Sequence, residues 1–273
     1  MTTVAVLGGG RIGEALLGGL VAAGHDQTAL LVVERDTARA QDLAGRLGLA
    51  SVAAAEAARR ADVLVVAVKP QDVAGVLGEV GDALPQPRPV VVSLAAGIPT
   101  VALERWLPAG TPVVRVMPNT PMLVGRAMCV LSPGRHADDG ALTAAETLLG
   151  AVGRTVRVPE AQQDAATALS GSGPAYLFLV AEAMIEAGVA LGLPRPVATQ
   201  LVSATVDGAG GLLTDDTHGR AHPGLLREAV TSPGGTTAAA LRVLEAHGLR
   251  AAFADAVESC RDASRELGST YGG

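Results

Sequence analysis

The segment Gly8-Gly9-Gly10-Arg11-Ile12-Gly13 constrains the fold more than any other part of this chain. It follows directly on a short apolar run, Val4–Leu7, and opens a stretch of helical character, Ile12–Ala23, that stops at Gly24, a C-cap position. A bare G-x-G-x-x-G is a weak signal. Between a strand and a helix at the head of an alternating pattern it becomes a dinucleotide fingerprint. Gly8 allows the tight turn, Gly10 lets backbone approach a pyrophosphate, and Gly13 lets the helix pack close to the strand. The helix start then offers N–H groups and a partial positive charge to phosphates. Gly8, Gly10, Arg11, Ile12 and Gly13 are therefore cofactor-binding candidates.

The pattern that follows supports a doubly wound sheet. Apolar runs at 29–33, 63–68, 90–94 and 113–117 are continuous rather than alternating, as expected of strands buried on both faces. A helix over 37–47 stops at Gly48, and shorter strand candidates lie at 127–131 and 155–158. Strands alternating with helices predict a parallel sheet with right-handed crossovers, running to about residue 158. From Gln162 onward no strand-like run stands out. Residues 174–191, 196–213, 223–230, 237–247 and 249–267 read as helices, with Pro174 and Pro196 in first turns, where proline is tolerated. Several are apolar around much of their circumference, which predicts burial on more than one side in a helical dimerisation domain. The expected division is 1–158 and 159–273, with no internal repeat and no flexible linker.

Bulk properties narrow the function classes. The chain has 273 residues, and only 2% are aromatic, so Ala, Val, Leu and Gly must build its core. A net charge of -6 leaves no basic footprint for nucleic acid. The N-terminus has no basic and apolar leader pattern, which points to the cytoplasm. The best candidate for a membrane span, Tyr176 to Leu193, contains Glu182 and Glu186 and reads as a buried helix instead. Cys129 and Cys260 have no metal or redox spacing, and His218, His222 and His247 share no ligand spacing. No metal site is expected. Metalloprotease, hydrolase and ATPase motifs are absent.

Further candidates sit at strand ends. Glu34 ends the second apolar run about twenty residues past the fingerprint, where a carboxylate accepts from the adenosine ribose and favours NAD. Arg35 follows and is suited to a 2′-phosphate, which favours NADP; the two residues point to opposite answers. Lys69, next to Pro70, is the only lysine among 21 Lys and Arg residues. Either a compact ammonium is needed there, for cofactor phosphate, ribose or substrate, or codon bias has left a chance survivor. Asn119 lies in the proline-stiffened loop 117–121 after the 113–117 run, at the same rim.

Together these motifs resemble the Δ1-pyrroline-5-carboxylate reductase family over nearly the whole length. The resemblance rests on the fingerprint, on Ala67-Val68-Lys69-Pro70, on Ser93 to Gly97 and on Met117 to Pro121. Most specific are Leu169 to Tyr176 and Ser232-Pro233-Gly234-Gly235-Thr236-Thr237. The resemblance implies a Rossmann domain followed by a helical domain that interlocks two protomers, with larger assemblies of dimers common. It implies hydride transfer from NADPH or NADH to the C=N carbon of 1-pyrroline-5-carboxylate, giving L-proline. It adds Ala67, Pro70 and Ala96 to the cofactor side. It makes Ser232, Gly234, Gly235, Thr236 and Thr237 the substrate side. Backbone N–H groups of that loop can cradle the substrate carboxylate. Thr237 is the candidate beside the imine nitrogen, to orient the ring or relay a proton. The chain departs from many relatives at Glu34 and Ala54, which bears on the 2′-phosphate contact and not on the chemistry. A reductase of the β-hydroxyacid type relies on a lysine in the helical half, and this chain has none after Lys69. A non-catalytic nucleotide sensor would not need the Ser232–Thr237 loop.

Overall fold

The computed structural model describes residues 2–215 and 222–272. His218 lies outside the described residues. The order is β1 (Val4–Leu7), α1 (Arg11–Ala22), β2 (Leu30–Val33), α2 (Thr37–Leu47), β3 (Ala50–Ser51), α3 (Ala54–Arg60), β4 (Val63–Val66), α4 (Pro70–Gly81), β5 (Val90–Ser93), α5 (Thr100–Arg105) and β6 (Val113–Met117). Then come β7 (Ala127–Pro133), α6 (Asp139–Leu149), β8 (Gly153–Arg157) and α7 (Gln163–Ala166), which runs into a π-turn, Thr167–Gly171. The long helices α8 (Gly173–Ala190) and α9 (Arg195–Thr214), α10 (Pro223–Ala229), α11 (Thr236–Ala246) and α12 (Leu249–Gly272) complete the chain. Met1–Ser172 with Glu258–Gly273 forms one compact unit, and Gly173–Val257 a second.

In the first unit all eight strands form one sheet, ordered β3-β2-β1-β4-β5-β6-β7-β8. Alternation along each strand sorts side chains between two cores. Val4, Val6, Val32, Val65 and Val114 join α1 and α6 on one face. Ala5, Leu7, Leu31, Leu64 and Val66 join α3, α4 and α5 on the other. Every β1 residue is buried, so each large side chain there contributes about 1.5–3 kcal/mol. α3 meets the sheet through Ala54, Ala57 and Ala58, small enough for close approach. Asp36 caps α2 by accepting from Arg39 N–H at 3.0 Å, and Gly48 ends it in the left-handed conformation at φ 68°.

The sheet departs from a purely parallel one. β6 and β7 pair antiparallel, and β8 then runs parallel to β7. Residues 118–126 join β6 to β7 through a short 3₁₀ turn, Thr120–Val124. A parallel crossover takes a dozen or more residues, so this connection is too short for one. The run at 63–68 also pairs only as far as Val66, which leaves Ala67 to Lys69 as a loop at the carboxyl end of β4. Arg115, buried within β6, is held by Glu160 at 3.2 Å, and Glu160 also accepts from Thr100 N–H at 2.7 Å. The end of α12 belongs to this unit: Leu267 lies over Gly97, and Arg105 donates to Tyr271 O at 2.9 Å. Cys129 is fully buried in β7, and burial pushes its thiol up to about 12.

In the second unit, α8 has no buried residue, although its composition predicted burial on more than one side. Leu177, Phe178 and Leu179 are each more than half exposed in the single chain. An apolar helix left uncovered within its own chain needs a surface from outside it. By length and composition alone, Glu160–Ala190 would be long and apolar enough to cross a bilayer. A helix built to pack against another protein surface passes the same test.

Candidate functional site

The fingerprint loop is shaped by close approaches that only glycine permits. Gly8 takes φ +107°, and a Cβ there would meet the backbone carbonyl of Ala67 at 2.9 Å. Its N–H donates to Val33 O at 2.8 Å, while Ala67 N–H donates to Leu7 O at 2.8 Å, so the turn is stitched to both neighbouring strands. A Cβ on Gly13 would sit 2.0 Å from Gly8 O. Gly10 differs: it is the extended N-cap of α1, and nothing lies within 4 Å of where its Cβ would be. Arg11 and Ile12 begin the first turn of α1, whose N–H groups have no acceptor within the helix.

Gly9 is gripped from both sides. Its N–H donates to Glu34 Oε2 at 2.8 Å, and its carbonyl accepts from Arg39 Nε at 3.1 Å. Arg39 also pairs with Glu14 of α1, and Arg46 reaches the other Glu14 oxygen at 2.5 Å. Sequence reasoning did not single out Glu14, Arg39 or Arg46, because contacts across 25 to 32 positions leave no local signature. The Arg46 hydrogen bond, with Arg39 in support, holds the Glu14 carboxyl below its ordinary range, against partial burial that acts the other way. A depressed folded-state value means stabilisation that is present above the unfolded value and lost as pH falls through the folded one. Glu14→Gln should therefore cost about 1 kcal/mol at neutral pH, the upper end for solvent-screened pairs. Thermal melts at one protein concentration should show that gap closing as pH drops below the ordinary glutamate range. A gap constant with pH would remove the ion pairs as its cause.

A cavity of about 490 Å³ opens where β1, β2 and β4 end. Gly8, Gly10, Glu34, Arg35, Ala67 and Lys69 line it, which brings six of the cofactor candidates together. Pro70 starts α4 directly behind Lys69. Asp72, on the first turn of α4, also lines the cavity and pairs with Arg35 at 3.6 Å, a partner that sequence reasoning did not name. Ala96 follows β5 and Asn119 follows β6 at the same carboxyl ends of the parallel strands, and neither lines this cavity. Asn119 serves the fold: its Nδ2 donates to Ser170 O at 3.1 Å, and its Oδ1 accepts from Met128 N–H at 2.9 Å. The residues fit a dinucleotide. The loop has no room for side chains at Gly8 and Gly13, and open space where a pyrophosphate would pass Gly10.

The substrate-side candidates lie in the second unit. Thr231 to Gly235 turn the chain into α11: Gly234 takes φ +69°, and Gly235 N–H donates to Ser232 O at 3.0 Å. Gly235 is the extended N-cap of α11 and supplies no side-chain cap bond, so the first-turn N–H groups stay open. A Cβ on Gly235 would lie 2.7 Å from Ser232 Oγ, so that hydroxyl sits at the helix mouth. Thr236 and Thr237 are the first two residues of α11, and Thr237 is half-buried. Of the histidines, His222 caps α10 by accepting from Gly224 N–H at 3.1 Å, and His247 ends α11.

A glycine-stitched turn and an open cavity at the ends of the parallel strands define a Rossmann-type dinucleotide-binding protein. A family model described as pyrroline-5-carboxylate reductase dimerisation matches residues 160–267, and one described as NADP oxidoreductase, coenzyme F420-dependent, matches residues 3–97. The pyrroline-5-carboxylate reductase of Corynebacterium melassecola is 48% identical over 98% of this chain and 99% of its own. A solved pyrroline-5-carboxylate reductase from Coxiella burnetii superposes with a TM-score of 0.92 at 35% identity, covering 97% of this chain and 98% of that one. A Plasmodium falciparum pyrroline carboxylate reductase solved with NADP bound gives 0.83 at 28% identity, covering 98% of each chain. The chain belongs to the pyrroline-5-carboxylate reductase family.

Proposed function

We propose that this chain reduces 1-pyrroline-5-carboxylate to L-proline, the last step of proline biosynthesis, as a cytoplasmic homodimer or an assembly of dimers. The observation that carries the reading is 48% identity to a pyrroline-5-carboxylate reductase along 98% of the chain. NADPH or NADH supplies the hydride. Residues 1–158 hold the nucleotide, and residues 159–273 dimerise and complete the substrate site. The exposed apolar residues of α8 support the dimer, since a second copy would cover them. The acidic net charge of -6 supports a small-molecule enzyme rather than a nucleic-acid or membrane partner.

The chain's own groups have modest work to do. A protonated cyclic imine is already electrophilic, so its carbon can accept hydride while its nitrogen keeps the proton and becomes an amine. The protein must align the two partners and exclude water. Gly8, Gly10, Arg11, Ile12 and Gly13 approach the pyrophosphate, with Ala67, Lys69 and Pro70 beside it. Ser232, Gly234, Gly235 and Thr236 receive the substrate carboxylate at the α11 mouth, where the helix field favours an anion. Thr237 orients the ring or relays the proton at nitrogen. Purified protein given the imine should consume NADH or NADPH and form one proline per nucleotide oxidised. Nucleotide binding without proline would sink the substrate assignment.

A further inference from the structure

We propose that this chain takes NADH in preference to NADPH, with Glu34 and Asp72 as the specificity-determining residues. The inference rests on the reading that the cavity beside Gly8 and Gly10 holds a nicotinamide dinucleotide. The two nucleotides differ by one phosphate on the adenosine ribose, a group of roughly two negative charges near neutral pH. Glu34 and Arg35, adjacent at the end of β2, favour opposite answers in sequence, and their surroundings decide between them.

Glu34 is fixed in place. Oε2 accepts from Gly9 N–H at 2.8 Å and Oε1 from Asp36 N–H at 3.1 Å, so both oxygens are tied to backbone. Swinging the carboxylate away from an arriving phosphate would break both bonds and release the Gly9 grip. Each oxygen keeps a second lone pair, enough to accept from a ribose hydroxyl. A ribose with free hydroxyls is a donor to this wall, and a 2′-phosphate is only an acceptor.

Arg35 is compromised as a phosphate anchor. Its guanidinium lies 3.6 Å from Asp72 Oδ1, with 71% of its side chain exposed. Asp72 stands on the first turn of α4, where the helix field favours a carboxylate. An exposed pair of this kind is weak and does not immobilise Arg35. If Arg35 turned to a phosphate, though, Asp72 and Glu34 would both remain beside it. Among the charged side chains lining the cavity, Glu34, Asp72 and Glu79 outnumber Arg35 and Lys69. Val52, Ala53 and Ala54 line another part of it with side chains that cannot donate a hydrogen bond. Like charges set against a ligand are a repulsive specificity device.

The test is the dissociation constant of each nucleotide for the purified full-length enzyme by titration calorimetry, without substrate. NADH should bind about tenfold or more tighter than NADPH at low salt, and salt at about 0.5 M should narrow the ratio by screening the repulsion. Glu34→Gln keeps an acceptor for Gly9 N–H while removing the charge, and Asp72→Asn removes the carboxylate that would stay beside a phosphate held by Arg35. Each should move the ratio toward NADPH, and the double variant should bring it to parity or beyond. Wild-type enzyme that binds NADPH as tightly as NADH overturns the proposal and leaves the reductase reading standing. So does an NADH preference that neither salt nor the two substitutions change. Enzyme that binds neither nucleotide overturns both.

Discussion

Gly10→Val should fold and melt like the wild type yet bind NADH on the order of 100-fold more weakly, a loss of about 2.7 kcal/mol. Gly10 sits at φ -67° and ψ -175°, extended backbone that valine adopts without strain. Nothing lies within 4 Å of its Cβ position, so the loop has space for a side chain to branch there. What it fills is the open side of the loop, where a pyrophosphate must come against bare backbone. Gly13→Ala is the control with the opposite signature. Its methyl group would lie 2.0 Å from Gly8 O, a backbone atom that cannot move without undoing the turn. Overpacking of this kind costs about 3 kcal/mol or more, a drop of roughly 6–12 °C for a chain of this size. Calorimetry and thermal melts on the two variants separate a ligand-facing glycine from a packing glycine. Unchanged NADH affinity in Gly10→Val would mean that the nucleotide does not pass Gly10. An unchanged melting temperature in Gly13→Ala would mean that α1 is not closely packed on the loop.

Much of the fold was legible because its signals are local. β1 and β2 are continuous runs of Val, Leu and Ala, β5 is three valines before Ser93, and such runs announce strands covered on both faces. Gly24 and Gly48 mark helix ends because both need positive φ. β3 was not legible: two exposed residues carry no pattern. α3 was missed because Ala-Ala-Glu-Ala-Ala has little apolar contrast around the helix. The reversal at β7 leaves its mark in the length of a connection. An apolar run states burial and says nothing of direction, but the short 118–126 connection excludes a crossover helix.

The candidate site divides in the same way. Glycine roles in the fingerprint follow from sequence because the spacing encodes one turn. The role of Glu34 does not follow. A strand-end carboxylate is expected to face the adenosine ribose, and this one is also the acceptor for Gly9 N–H. Asn119 illustrates a related limit. A loop asparagine at the rim has the chemistry of a ligand, and here its amide ties β7 to the π-turn. In both cases the deciding partner is distant in sequence, so no local pattern could supply it.

Thr237→Ala should lower turnover by about 100-fold while leaving NADH affinity and melting temperature unchanged, the scale seen when one preorganised donor is removed. Thr237 is the second residue of α11, and alanine has a higher helix propensity than threonine, so helix loss is not the expected mechanism. The substrate carboxylate would keep its main contacts, because they come from Ser232 and from first-turn N–H groups that no side chain caps. An effect confined to kcat would thus point to the hydroxyl acting in the transition state, at the ring nitrogen as it turns from iminium to amine. A rise in KM with kcat intact would instead make Thr237 part of the carboxylate cradle. Thr237→Ser restores the hydroxyl without the methyl group and should recover most of the rate. If the serine variant were as slow as the alanine one, the methyl contact would be what matters. If alanine were as fast as the wild type, solvent would be the proton's partner, and the α11 mouth would only position the substrate.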